Sequence, residues 1–214
     1  LTDQTDQTEI AMQTSVEISI ENDEFLQAIF GEISPDSDLR PLVCSKAGDP
    51  QQDNGWNPQA WPCDTSAPDL NWYACSALFE PNSKGKYRAQ KTLVHSVFCV
   101  ILDDIGTKVP MEKINQCPPS WLLETSPQNY QAGYIFSEPV TSAEAEKLKH
   151  LLLEADLCDR GSTGAGARWM RLPKAINGKP AYGEPSPKCR LEIWSPDRTF
   201  TVDYLTEKFQ LNKI

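Results

Sequence analysis

LVHSVFCVILDDIGTK, residues 93–108, is the stretch from which the rest of the chain can be read. Ten mostly apolar residues run into two adjacent carboxylates, followed by Gly106, Thr107 and Lys108. The run is rich in Val, Ile, Leu and Phe, has no helical stripe, and is broken only by His95 and Ser96. That pattern predicts a strand covered on both faces over 93–102. Asp103 and Asp104 then lie where the buried strand surfaces. Carboxylates are disfavoured in strands and costly to bury unpaired. Two in succession at a strand end predict either a turn or a site for a hard cation such as Mg²⁺ or Mn²⁺.

Working outward, the hairpin SWLLETSPQNYQAGYIF (120–136) pairs a strand at Trp121–Leu123 with one at Tyr130–Phe136, and Ser126 to Asn129 supply the turn. Tyr130, Ala132, Tyr134 and Phe136 alternate, so Gln131 points to the opposite face from these residues. A Gln in that place is first a cross-strand hydrogen-bonding residue and only second a ligand contact. Thr141 and Glu144 form a capping box for a helix whose stripe is Ala145, Leu148, Leu152 and Ala155. A glycine-rich run then begins at Gly161 and carries Arg168, Arg171, Lys174 and Lys179. Glycine permits close backbone approach, and arginine forks suit phosphate oxygens. The run contains neither a Walker loop nor a Gly-x-Gly-x-x-Gly fingerprint.

Towards the N-terminus, Trp72–Phe79 and Leu42–Cys44 read as strands, and residues 45–69 as a long loop holding Trp56 and Trp61. Asn22 or Asp23 caps a helix with the stripe Phe25, Leu26, Ile29 and Phe30, stopped by Gly31. Residues 1–22 are expected to form a flexible acidic arm, and 23–214 the folded domain. At the other end, Cys189–Trp194 is strand-like. A short helix with Leu205, Phe209 and Leu211 closes the chain.

The 214 residues suffice for a sizeable core, and no apolar run approaches the roughly 20 residues of a membrane span. No secretory signal is visible. The seven cysteines form no Cys-x-x-Cys pair and the chain has only two histidines, which argues against a zinc site and a disulfide framework. Reduced thiols in a cytosolic protein are the simplest reading. The net charge of −10 is uneven: residues 1–40 carry ten acids against Arg40, leaving the remainder near neutral. Within that remainder Lys84, Lys86, Arg88 and Lys91 form an acid-free basic segment. It reads as a loop over a phosphate backbone or as a solvated loop. A basic groove is compatible with an acidic total, because screening acts within about 8 Å at physiological salt.

VILDDIGTK, LLETSPQNYQAGYIF and LCDRGSTGAGARWMRLPKAINGKP, in that order, resemble the plasmid- and phage-type RepB-like primases of the archaeo-eukaryotic primase superfamily. The resemblance implies an α+β (α/β) primase-polymerase catalytic core, a modified RNA-recognition-type antiparallel sheet flanked by helices. It implies templated phosphodiester synthesis on single-stranded DNA from nucleoside triphosphates, with two ions, Mg²⁺ or Mn²⁺. The family's first motif falls on Asp103 and Asp104. They are adjacent here rather than spaced by one residue, so both reach one metal only if the strand bulges or turns. The second motif runs from Ser126 to a position usually held by histidine, which is Gln131. The third motif's single Asp falls on Asp159, with Asp156 as the competitor. Arg168, Arg171 and Lys179 are expected at the triphosphate, and Lys84, Lys86, Arg88 and Lys91 at the template. Trp169 reads as core before stacking platform. The resemblance further implies a cytoplasmic setting, in a bacterial or phage-infected cell, no membrane partner, and a helicase as partner or following domain. The alternative is a replication-initiation module that keeps the fold and binds nucleic acid without catalysis. A nuclease of the His-hydrophobic-His type is disfavoured because His95 and His150 lie far apart.

Overall fold

The computed structural model describes residues 18–161 and 164–211. In chain order the elements are α1 (Asn22–Phe30), β1 (Arg40–Lys46), β2 (Asn57–Ala60), β3 (Asn71–Phe79), β4 (Val94–Ile105), α2 (Glu112–Asn115), β5 (Trp121–Ser126), β6 (Asn129–Val140), α3 (Ser142–Glu154), β7 (Trp169–Arg171), β8 (Arg190–Trp194), β9 (Thr199–Phe200) and α4 (Val202–Lys208). The nine strands make one sheet in the order β2-β1-β3-β4-β6-β5-β8, with β7 attached to β3 and β9 to β6. All pairs are antiparallel except β6–β9. This is an α+β architecture built on an antiparallel sheet.

Helices cover both faces, which is why β4 reads as a continuous apolar run. On the first face Val100 and Leu102 pack with Tyr134, Phe136, the α3 stripe Ala145, Leu148 and Leu152, and Leu205 of α4. On the second face Cys99 and Ile101 pack with Ile135, Trp121 and the α1 stripe Phe25, Leu26, Ile29 and Phe30. Phe25 is fully buried, its ring 5.3 Å from that of Trp121 and 5.1 Å from that of Trp194. A side chain of that size buried this way contributes roughly 1.5–3 kcal/mol.

The α3 cap forms as expected: Thr141 N donates to Glu144 Oε2 at 3.0 Å and Glu144 N to Thr141 Oγ1 at 3.3 Å. At α1 the cap moves back by one residue, to Glu21. Asn22 is unavailable because its side chain ties two distant segments, donating to Thr65 O at 3.0 Å and accepting from Lys174 N at 2.9 Å. Residues 1–17 of the expected arm lie outside the described residues. The end of the arm is docked: Ile18 bridges to Leu191, and Lys174 Nζ donates to Ser19 Oγ at 2.8 Å. The segment 45–69, read as loop, contains β2. This strand is short, carries Pro58 and lies at the sheet edge, a combination with little periodic signal. All seven cysteines are free thiols, and burial pushes those of Cys44, Cys99 and Cys189 up to about 12. Among the described residues no helix is long and apolar enough to cross a membrane.

One close approach sets the spacing of the central hairpin. A Cβ at Gly133 would meet the indole of Trp121 at 2.0–2.3 Å. Trp121 is fully buried beneath Phe25 and has nowhere to go. Gly133→Ala is therefore expected to cost about 3 kcal/mol, at the upper end for an overpacked core. A lowered urea midpoint with an unchanged slope is the readout.

Candidate active site

At the end of β4, Leu102 stands opposite Ala132 and Ile105 opposite Tyr130. Two residues of β4, Asp103 and Asp104, therefore face the single residue Gln131 of β6. This is a β-bulge. Asp104 takes φ +58°, a left-handed conformation that Asp tolerates better than most residues. The extra residue restores register, so Leu102 and Ile105 both reach the first face. It also turns the two carboxylates to one side. Gln131 Nε2 donates to Asp103 Oδ1 at 3.2 Å, and Asn129 Nδ2 to Asp104 Oδ1 at 3.1 Å. Asn129 and Gln131 are two apart on β6 and share a face. The bulge that adjacent acids require is thus present. The turn is present as well: Asp104 O accepts from Lys108 N and Val109 N, and Gly106 N donates to Val109 O.

Two cations close the corner. Arg168 Nη2 donates to Asp103 Oδ2 at 2.7 Å. Lys108 Nζ lies 2.9 Å from Asp104 Oδ2 and 3.1 Å from Asp159 Oδ1. Its ammonium is held above the usual lysine range, first by the hydrogen bond to Asp104 and then by that to Asp159. Asp159 arrives from the segment after α3, where its N–H approaches Asp103 O at 3.4 Å. Asp156 points elsewhere, with its carboxylate on Arg160 at 3.0 Å in solvent. Of the two candidates for a third acid, Asp159 is the one beside the pair.

Gln131 is buried and works in two directions, because Arg171 N donates to its Oε1 at 2.9 Å. Arg171 sits under the corner rather than in it. It is 4% exposed, and its guanidinium donates to Ile176 O at 2.6 Å, Asn177 Oδ1 at 2.8 Å and Asn71 Oδ1 at 3.3 Å. Its Cζ lies 4.6 Å from the Tyr73 ring centroid. The sequence pattern placed Arg168 and Arg171 together at a triphosphate, whereas the structure faces Arg168 to the acids and Arg171 inward. Three residues apart with a strand between them, they diverge. Ser126 is buried in the hairpin, and its Oγ has no hydrogen-bond partner among the described residues. Lys179 is half-buried beside the single 3₁₀ turn at Pro180–Tyr182. Lys84, Lys86 and Arg88 are exposed in the loop between β3 and β4, and Lys91 pairs with Glu146 at 3.2 Å.

Reasoning from sequence assigned no part in the site to Lys108 or to Asn129, expected only in the hairpin turn, yet both contact Asp104 directly. A lysine four residues after an acid across a Gly-Thr turn was the available signal for Lys108. Nothing local marked Asn129, whose part depends on the β6 register.

Among the described residues no three His, Cys, Asp or Glu side chains are already spaced around one metal position. The donor set nonetheless fits a hard divalent cation. It consists of carboxylate oxygens, which such ions prefer. One ammonium already stands between Asp104 and Asp159, on a flexible side chain that is 61% exposed and free to swing out.

No family model matches the sequence, and no curated protein does. Among solved structures, the AEP domain of the cyanophage S-2L primase-polymerase superposes with a TM-score of 0.55 at 14% identity, over 88% of this chain and 94% of that one. Primase RepB′ superposes with 0.55 at 16%, over 88% of this chain and 60% of the primase. The catalytic domain of RepB′ in complex with initiator DNA gives 0.50 at 15%, over 88% and 91%. The chain has the RepB-like primase-polymerase fold.

Proposed function

We propose that this chain is a template-dependent nucleotidyltransferase that makes, and extends, primers on single-stranded DNA. The observation that carries this reading is the β4 bulge, which turns adjacent carboxylates to one side next to Asp159. On this reading Asp103, Asp104 and Asp159 hold two Mg²⁺ or Mn²⁺ ions. When bound, such ions lower the pKa of an attacking hydroxyl and neutralise charge on the transferred phosphoryl group.

The chain's own residues do the positioning. Gln131 and Asn129 fix the two carboxylates by donating to one oxygen of each, leaving the second oxygens to the cations. Arg168, adjoining Asp103, meets the triphosphate with its planar fork. Lys108, once displaced from the acids, remains within a side chain's length and offers a second positive charge to the phosphates. Ser126, whose buried hydroxyl has no partner among the described residues, reaches a phosphate oxygen only if the hairpin opens, and Lys179 offers a further charge. Gln131 donates where the family pattern has histidine, without carrying charge. Lys84, Lys86, Arg88 and Lys91 lie along the template backbone. The neighbours named as a primase-polymerase and as a primase bound to initiator DNA support both halves of the reading.

The test is direct. Purified protein with single-stranded circular DNA, labelled nucleoside triphosphates and Mg²⁺ or Mn²⁺ is expected to yield short template-dependent products that vanish with EDTA. No product under any metal or nucleotide combination, from folded protein, would overturn the proposal.

A further inference from the structure

Three hollows on the β1–β3–β7 side of the sheet share one wall, Trp169. The first, about 470 Å³, is lined by Trp56, Tyr73 and Trp169 together with Cys44 and Pro58. The second, about 400 Å³, joins Trp169 to Pro58 and to the basic loop at Lys86 and Arg88. The third lies between Trp169, Arg168 and Gly164. Arg168 is bonded to Asp103, so the third hollow opens beside the acidic corner. Trp169 is thus common to a hollow at the basic loop, an aromatic chamber and a hollow at Arg168, the partner of Asp103. Among the described residues no Asp or Glu lines any of them.

The aromatic chamber is built, not incidental. β7 pairs with β3 so that Trp169 stands opposite Cys75 and Arg171 opposite Tyr73. Tyr73 is held from beneath by the Arg171 guanidinium and from the side by Trp56, at 5.6 Å and 64°. Lys46 Nζ sits 5.4 Å from the Trp56 ring. Its volume falls in the range of small-ligand pockets. Flat π-faces beside exposed cations, with no carboxylate in the lining, complement a chain of bases and phosphates rather than an apolar peptide.

We propose that this cleft binds one unstacked base of a single strand of DNA, stacked on Trp169, with the flanking phosphates on Lys86 and Arg88. The inference rests on the single-strand part of the function proposed above and is independent of its chemistry. Trp169 is then a positioning residue that sets where the strand turns towards Asp103.

The experiment is run in EDTA, so catalysis plays no part. Binding of a fluorescein-labelled oligodeoxythymidylate of about 12 nucleotides is followed by anisotropy over a range of salt. Trp169→Ala is expected to weaken binding about tenfold or more, as for loss of one base stack, with the salt slope unchanged and Trp169→Phe near wild type. Lys86→Ala with Arg88→Ala is expected to reduce the salt slope by about 1.4, at about 0.7 per phosphate contact for single strands. Trp56→Ala, at a half-buried loop position, gives a second reading of the same chamber should Trp169→Ala unfold. Wild-type affinity in both tryptophan variants overturns the proposal. Unchanged strand binding with lost dATP binding overturns it too, and assigns the chamber to the incoming nucleotide. No binding by the wild type overturns the single-strand reading itself, whereas strand binding without primer synthesis leaves the cleft standing and removes only the catalysis.

Discussion

Asp103→Asn is expected to lower templated primer synthesis by about 10³-fold while leaving the protein folded. The Asp103 carboxylate accepts from Gln131 and from Asp104 N through Oδ1, and from Arg168 through Oδ2. Asn has the same shape, so the bulge has no steric reason to rearrange. What it removes is the charge that a divalent ion and Arg168 share. Loss of one preorganised electrostatic group typically costs 10²–10³ in turnover, and loss of a metal ligand belongs at the upper end. The structural cost is smaller. The Asp103–Arg168 pair is partly solvated, with side-chain exposures of 15% and 27%, so a change of about 1–2 kcal/mol is the expected scale. For a chain of this length that shifts the thermal midpoint by a few degrees. The measurement is product formation beside a thermal melt of the same sample. Asp156→Asn is the matched control: its carboxylate faces Arg160 in solvent, and activity is expected to stay within about twofold. If Asp103→Asn retains synthesis within threefold of wild type, the site lies elsewhere.

The legible parts of this fold were those whose signal is local. The apolar run before Asp103 is buried on both faces and so reads as continuous, the Thr141–Glu144 box is a motif of four residues, and the stripe Phe25, Leu26, Ile29, Phe30 buries one face at helical spacing. The three-residue strand β7 gave no such signal: Trp169–Arg171 is too short for alternation, and its place is set by pairing with β3 about a hundred residues away. The site divides in the same way. Two acids at a strand end are visible in the sequence, and so is the demand for a bulge when they are adjacent. The residues that satisfy the demand, Asn129 and Gln131, are specified by the β4–β6 register. Arg168 and Arg171 look equivalent in a string of basic residues. Only the pairing of β7 with β3, which turns alternate side chains to opposite sides, shows that one faces the acids and the other the interior.

That difference gives the second large effect. Arg171→Met is expected to destabilise the protein by about 3–5 kcal/mol, because it takes the donor from three buried acceptors at about 1–3 kcal/mol each. Among the described residues the guanidinium is bonded to no carboxylate. Its burial is offset by three oxygens, on Ile176, Asn71 and Asn177, and by the face of Tyr73. Methionine fills much of the volume but leaves those oxygens without this donor. The damage spreads, because each partner ties down something else. Asn71 also donates to Gly48 O at 2.7 Å and accepts from Gly178 N at 3.0 Å, and Asn177 donates to Thr125 O at 2.9 Å. One side chain thus couples the loop after β1, the start of β3, the end of β5 and the segment before β8. Arg171→Lys is expected to rescue little, since a single ammonium cannot reproduce a planar fork that reaches three separated oxygens. The thermal midpoint should fall by about 10 °C in Arg171→Met, and below the transition the folded fraction should bind dATP with wild-type affinity. A wild-type midpoint with lost nucleotide binding would mean that the guanidinium faces the ligand. Arg168→Met separates the two roles, because its partner Asp103 lines the site and its side chain is the more exposed: there nucleotide binding should fall first and the midpoint little.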